Sequence, residues 1–555
     1  MSIIKHDNVN LITLKGTPEE MAKQHGYLLK NEIQSCALQK LARKNQFLIK
    51  QSGGILGNSL INKLAINLYN NLLIPIMTLS LPSEEKRKLQ ALAKAAEIPF
   101  QILLRAFYQA DGLMLLSRIS LMNYLFIRFP KSQLPGCSSA VVSGKLTEKN
   151  ELLVMRNQDY PVVGTWENLT TVAMCYPSGE NKIPYMFVTS AGLHTGGLTS
   201  MNKAGLTVAV HAHFGKKVNI AGAPIFHLAE KIISRCSTID QADEIIKLSQ
   251  VHANWTIVVS SAKENTAAAF EITPGGFAKR PMTDGSLTHT NFFQTKHLNQ
   301  DEALISGARH DDDNARILQM NRLIKENIGK ITTKDMIGIC GNHEDPYSKS
   351  PKVFGNTISV MTTVKSVVME PATFTLNISN RKKSPVGLGD FLKITEESFR
   401  GGEIQKISNP NIYSKEFLKT IDIYRESYIA ANMIGDYKRA YDKIKEISGK
   451  DQSDPHINIQ CALLALKNNS PIEALEYFNY TDQAMTTPHL KNCVNYFKHL
   501  IYKDLNEQQT SLETQKKISK NSCERILKSL KKDRNIKDIQ NILMLDLQFP
   551  EPIEF

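Results

Sequence analysis

Between residues 137 and 379 the apolar pattern changes period from strand to helix and back, and this order restricts the fold more than any other feature. Short β-rich segments come first: "SSAVVSG", "ELLVMRNQDY", "LTTVAMCYP" and "PYMFVTSAG", broken by Gly, Asn and Pro. "GLTSMNKAGLTVAVHAHFG" adds a hairpin, with Asn202, Lys203, Ala204 and Gly205 as its turn. Helical spacing follows at 225–249, strands return at 254–260 and 266–273, and a further helix is expected over 311–326. The stretch "NTISVMTTVKSVVMEPATFTLNIS" (356–379) restores the strand pattern. Strands, helices, then strands imply an α+β fold of sheets covered by helices, not a parallel βαβ series.

Helical segments flank this region. Residues 17–130 read mostly as helix, beginning with Thr17 as N-cap, Glu20 three residues on, and Pro18 at the first helical position. Met21, Leu28, Leu29 and Ile33 then recur at helical spacing. After about residue 396 the chain is almost purely helical. There "MIGDYKRAYDKI" (433–444) and "KNNSPIEALEYF" (467–478) align with Ala440 over Ala474, the 34-residue tetratricopeptide period. The expected domains are a helical front segment (1–136), a core (137–395) and an all-α tetratricopeptide-like domain (396–555). The Gly- and Asn-rich "RGGEIQKISNPN" marks the junction.

The net charge of +13 is unevenly spread. Residues 1–136 hold 17 Lys/Arg against 8 Asp/Glu, whereas residues 396–555 hold 23 of each. The basic front favours an anionic surface or a phosphate-bearing acyl donor, with a solvated surface as the ordinary alternative; no nucleic-acid partner is expected. The apolar runs at 64–82 and 113–130 are interrupted by Asn residues and Pro75, or by Arg118 and Arg128. They read as buried helices first and as peripheral membrane contacts second. The first sixteen residues lack a signal-peptide pattern, so a cytoplasmic location is expected, with a non-classical export route as the alternative. The eight cysteines form no C-x-x-C and no cluster with His at zinc-ligand spacing. Neither a metal nor a cofactor is expected, and a reducing compartment is the default.

One cysteine stands apart. In "LPGCSSAVVSGKL" a thiol, Cys137, opens a strand directly after Gly136. A buried structural cysteine is the plain reading. A nucleophile is the sharper one, and a thiol needs a base or a cation to act. A histidine could serve: His194, His211 and His213 are candidates, the last two on one strand face. Alternatively, cleavage before Cys137 would free its own α-amine, whose ordinary pKa of about 7.7–8.0 suits a general base near neutrality.

"GCSSAVVSG" followed by "LLVMRNQDY" resembles the N-terminal-nucleophile hydrolases of the isopenicillin N acyltransferase class, with acid ceramidase and choloylglycine hydrolase as more distant members. The resemblance runs from residue 11 to about 392 and takes in "LKGTPEEMAKQHGYLL", "SMNKAGLTVAV", "THTNFF" and "NTISVMTTVKSVVMEP". It implies a four-layer αββα core preceded by a pro-segment, made as a zymogen that cuts itself between Gly136 and Cys137. The resemblance implies that Cys137 is the nucleophile, that Arg156 holds the thiol or the substrate, and that Asp159 orients the freed amine. Asn291 would donate to the oxyanion, and Arg309 would complete the site, with Arg316 as the alternative. His211 stands where the family often has an Asn oxyanion donor, so it is assigned to substrate binding. The resemblance further implies a small-molecule acyl amide or thioester substrate, passed through a thioester on Cys137, and the basic, apolar front favours a long acyl chain. The C-terminal helices would serve a protein partner. The competing classes are a conventional Cys–His peptidase and a non-catalytic interaction protein. Asp311, Asp312 and Asp313 read as a helix start, and Trp166 and Trp255 as core.

Overall fold

The computed structural model describes residues 1–35, 66–116, 136–300, 302, 307–452, 454–481, 486–522, 524–532 and 534–554. Most of the apolar run at 113–130, and the peptide leading to Pro135, lie outside the described residues.

Two large antiparallel-rich sheets take up the β-patterned segments. In chain order their strands are β1 (Ser2–His6), β2 (Val9–Gly16), β3 (Gly136–Val142), β4 (Leu153–Asp159), β5 (Thr170–Pro177) and β6 (Tyr185–Ser190). These are followed by β7 (Thr199–Asn202), β8 (Leu206–Ala212), β9 (Trp255–Ser261), β10 (Thr266–Thr273), β11 (Gly276–Pro281) and β12 (Ser286–His289). The last four are β13 (Thr363–Glu370), β14 (Thr375–Ser379), β15 (Phe391–Ile394) and β16 (Gln405–Ile407). One sheet runs β1-β2-β5-β6-β7-β8-β9-β10-β11 and the other β12-β3-β4-β13-β14-β15-β16.

Each sheet is covered on both faces, so alternate residues of a strand enter different cores. Val141, Val154 and Val367 point into a core shared with Val172, Met186 and Val258 of the facing sheet. Ala140, Leu153, Met155 and Val368 point the other way, onto Met320, Ile324 and Ile337 of the helices Gly307–Glu326 and Thr333–Cys340. The outer face of the nine-stranded sheet is covered by the front helices and by Ile225–Ile233 and Ile239–Lys247. This is the four-layer αββα arrangement of an α+β fold.

The front segment is more than helical. The capping box of Thr17 and Glu20 is formed, but before it β1 and β2 form a hairpin, and β2 joins the first sheet parallel to β5. "NVNLITLKG" alternates only weakly, so its strand character comes from pairing with β5. Behind the hairpin, helix Pro18–Leu28 packs closely on Ser83–Ala95: a Cβ on Gly26 would lie 2.6 Å from the Leu92 carbonyl oxygen.

In the C-terminal region helices Tyr437–Ile444 and Pro471–Tyr480 begin 34 residues apart, with Ala440 and Ala474 fully buried between helices. The junction is tied to the core. β16 extends the second sheet, the Asn409 side chain donates to the carbonyls of Gly387 and Gly389, and the Tyr413 hydroxyl bridges Gly341 and His343. The C-terminal core also includes Val353, Phe354 and Met361 of the sheet-bearing half. Among the described residues no helix is long and apolar enough to cross a membrane.

Candidate active site

The register of β3 against β4 sets the site. Cys137 lies opposite Gln158, Ser139 opposite Arg156, and Gly136 opposite Asp159. By alternation Cys137, Ser139, Arg156 and Gln158 face the nine-stranded sheet, where β8 runs. Arg156 Nη2 donates to Cys137 Sγ at 2.9 Å and also to the Val210 carbonyl on β8. The Cys137 N–H donates to Asn291 Oδ1 at 2.6 Å, and Asn291 Nδ2 donates to the Ala212 carbonyl at 2.9 Å. From the helical side, Arg316 Nη1 donates to the Cys137 carbonyl at 2.8 Å and to Ser138 Oγ at 2.9 Å.

Asp159 supplies a fully buried carboxylate beside the Gly136–Cys137 bond. Its Oδ1 accepts from the Thr363 hydroxyl at 2.7 Å, while Oδ2 has no hydrogen-bond partner among the described residues. A Cβ on Gly136 would lie 3.1 Å from that Oδ2 and 3.2 Å from the Asp159 Cβ, which explains the glycine. Burial raises the Asp159 carboxyl above its usual range, against the pull of Arg316. Burial also pushes the Cys137 thiol up, and the Arg156 guanidinium opposes that rise.

The expected site residues separate into two groups. Arg156 and Asn291 hydrogen-bond to Cys137, and Asp159 lies opposite Gly136, the neighbour of Cys137 on β3. Of the two arginines left open, Arg316 reaches Cys137. Arg309 lies two turns earlier on the same helix, its guanidinium 4.6 Å from the Phe214 ring centroid, with its Nε 3.9 Å from Asp313. Asp311, Asp312 and Asp313 fall inside helix Gly307–Glu326 and not at its start. Asp312 and Asp313 instead grip the Arg316 guanidinium, and Asp312 also accepts the Asn356 N–H.

His211 points away from the cavity at Cys137. Val210 and Ala212 line a cavity at Cys137, so His211, between them on β8, points to the opposite face. There it meets Ser139 Oγ and Arg156 Nη1, each at 2.9 Å. Burial first, then Arg156, holds its pKa well below the usual histidine value. His194 bonds to His25 at 3.1 Å and His213 to His289 at 3.2 Å. Among the described residues, the groups meeting Cys137 Sγ are Arg156 and the Val210 carbonyl, and no histidine is among them. Thr363 is a site neighbour the sequence concealed, because nothing separates it from Thr362 until β13 is paired with β4.

The cavity beside the thiol has room for about 30 Å³ and is walled by apolar side chains. Leu198, Val210 and Ala212 come from the core, with Phe226, Trp166 and Trp255. Ala106, Phe107 and Ala110 come from front-segment helices Phe100–Phe107 and Gln109–Leu116. The two tryptophans, expected as core alone, are buried and also line this cavity.

Residues 146–383 match the family of acyl-coenzyme A:6-aminopenicillanic acid acyl-transferase, a span that begins beyond Gly136 and Cys137 and contains Arg156, Asp159, His211, Asn291, Arg309 and Arg316. Among solved structures, a Caenorhabditis elegans N-acylethanolamine-hydrolyzing acid amidase ortholog is 18% identical with a TM-score of 0.29, covering 42% of this chain and 93% of that one. A mutant conjugated bile acid hydrolase from Clostridium perfringens is 13% identical with a TM-score of 0.31, covering 50% of this chain and 97% of that one. No curated protein sequence matches the chain.

Proposed function

Starting from a catalytic core of the N-terminal-nucleophile hydrolase class, an enzyme class acting on amide bonds, we propose that this chain cuts itself before Cys137 and then transfers or hydrolyses acyl groups through a Cys137 thioester. The observation that carries this reading is the unpaired Asp159 Oδ2 beside Gly136. A buried carboxylate oxygen without a partner costs free energy, and a new α-ammonium at Cys137 would satisfy it.

In the first reaction the Cys137 thiol loses its proton, and the sulfur attacks the Gly136 carbonyl carbon. The C–N bond breaks, the Cys137 nitrogen takes up a proton, and a Gly136 thioester forms. Water then hydrolyses this ester, leaving a Gly136 carboxylate and a free Cys137 α-amine. In turnover that amine accepts the thiol proton while sulfur attacks the substrate acyl carbon. The proton passes to the departing amine or thiol, and water or an acceptor amine regenerates the thiol. Arg156 favours the thiolate, Asp159 holds the α-ammonium, and Arg316 fixes the Cys137 carbonyl. Asn291 Oδ1 orients the nitrogen, and its second amide hydrogen serves the oxyanion, a contribution of about 3–4 kcal/mol in such sites. Without a histidine on the thiol, the Cys–His peptidase reading has no geometric support among the described residues.

The apolar lining of the cavity and the basic front favour a long acyl chain; a space of about 30 Å³ is far smaller than such a chain, so the front helices that wall it would shift outward to admit one. The free thiol suits a reducing compartment such as the cytoplasm, and the C-terminal helices offer a surface for a protein partner. The test is a series of acyl amides of increasing length. Each buried methylene contributes about 0.8 kcal/mol, so kcat/KM rises by up to about tenfold per two carbons until the chain fills its site. A flat or falling profile would overturn the long-chain assignment.

A further inference from the structure

A second convergence of ligating side chains lies in the C-terminal region. His489 and Cys493 are four residues apart on helix Pro488–Asp504 and so share one face. Glu551 arrives from the tail, 62 residues after His489. Their ligand atoms all lie within 4.8 Å of one another: Cys493 Sγ is 3.6 Å from His489 Nε2, and Glu551 Oε2 touches the same nitrogen. Cys493 and Glu551 are buried, at 2% and 1% exposure. The sequence hid the cluster because its third member is remote and because only one cysteine takes part.

We propose that His489, Cys493 and Glu551 bind a divalent transition metal of the zinc class. The imidazole nitrogen offers one hydrogen or one lone pair, so it cannot bond fully to both the thiol and the carboxylate. A single metal ion accepts all three, with water in the fourth tetrahedral position. A thiolate, imidazole and carboxylate set selects this class over magnesium or calcium. Surrounding groups fix the ligands as such sites require. Glu551 Oε1 accepts the Ala308 N–H at 3.1 Å, and Arg525 stands 3.9 Å from Oε2. The His489 ring presses on Gly307, where a Cβ would lie 2.4 Å from Nδ1. Binding releases the Cys493 proton, and any proton on His489 Nε2, to solvent. Gly307 and Ala308 open the helix that carries Arg316 to the Cys137 carbonyl, so the metal ties the tail to the element that holds the candidate nucleophile.

The test uses full-length Cys137→Ala protein, freed of metal with a chelator and titrated with Co²⁺. The expected result is saturation near one equivalent, with a near-ultraviolet sulfur-to-cobalt band and visible bands of a four-coordinate ion, both bleached by Zn²⁺. Adding Cys493→Ser removes the near-ultraviolet band, and adding His489→Gln weakens binding by more than about tenfold. Should either variant fail to fold, alkylation of Cys493 in the unsubstituted site reports instead, and Zn²⁺ slows it. Absence of cobalt bands in the folded protein, bands unchanged by Cys493→Ser, or alkylation indifferent to Zn²⁺ would each overturn the proposal and leave an ion pair beside a thiol.

Discussion

Two buried charge clusters of this protein use opposite solutions. Where the front segment meets the core, Lys88 lies between Glu85 at 2.7 Å and Glu230 at 2.5 Å. The remaining carboxylate oxygens meet His227 at 3.2 Å and the Tyr185 hydroxyl at 3.1 Å. Burial works against the ammonium, but Glu230 and Glu85 overcome it, so the Lys88 pKa ends above its ordinary value. At Cys137, by contrast, valences stay open: Asp159 Oδ2, Arg156 Nε and Gln158 Oε1 have no hydrogen-bond partner among the described residues. A cluster that only holds two elements together gives every carboxylate oxygen a neighbour within 3.2 Å, Glu85 Oε1 as an ion pair and not a hydrogen bond. On the proposed self-cleavage the Cys137 cluster accepts a new α-amine, and it keeps some valences unmade, at a cost to stability.

The closed cluster breaks hardest. Lys88→Met leaves two buried carboxylates without their cation, which costs about 3–5 kcal/mol. Thermal unfolding should fall sharply, and after cleavage the front fragment should separate from the core on gel filtration. A Glu85→Gln/Lys88→Met/Glu230→Gln triple variant should recover much of the loss. A melting temperature unmoved by Lys88→Met would mean that the cluster does not hold the segments together.

The open cluster should respond in the opposite sense. Asp159→Asn keeps an acceptor for Thr363 and removes a buried charge, so melting should change little or rise. Processing and turnover should fall by on the order of 10² or more, because nothing balances the α-ammonium. Near-normal rates with unchanged melting would remove Asp159 from the site. In the same assays Arg316→Gln should cost more than Arg309→Gln.

A smaller effect sharpens the contrast with a single buried acid. Asp111 accepts from Trp255 Nε1 at 3.0 Å, and burial, only partly offset by that bond, pushes its pKa up to about 7. The folded chain therefore keeps the proton between about pH 4 and 7, where the unfolded chain has lost it. This group's contribution to stability declines as pH rises through that window and levels off above about 7. Asp111→Asn should flatten the decline and melt higher than wild type at pH 8, with little difference at pH 4. Parallel pH profiles of the two proteins would show that Asp111 is not the titrating group.

Period and punctuation made the layered core legible, because strand alternation and helical spacing are local properties. Cys137, Arg156, Asp159 and Asn291 were legible through a resemblance in motif order. Features that depend on which elements meet were not. Arg309 and Arg316 share a helix face, and only the crossing of that helix over β3 selects Arg316. The side of β8 that His211 occupies follows from register. The β1–β2 hairpin exists through β5, and Glu551 joins His489 and Cys493 through the path of the tail. Asp312 and Asp313 carried the residue type of a helix start but serve as partners to Arg316, with Asp312 also accepting the Asn356 N–H, because a buried carboxylate needs partners.

The central claim is that Cys137 becomes a chain terminus, and intact mass measures it directly. Wild-type protein held at neutral pH should resolve into two chains whose masses join at Gly136 and Cys137, running together on gel filtration, while Cys137→Ala remains one full-length chain. Wild-type protein that stays at its full mass after long incubation, or that is cut at this bond equally in Cys137→Ala, would contradict the account.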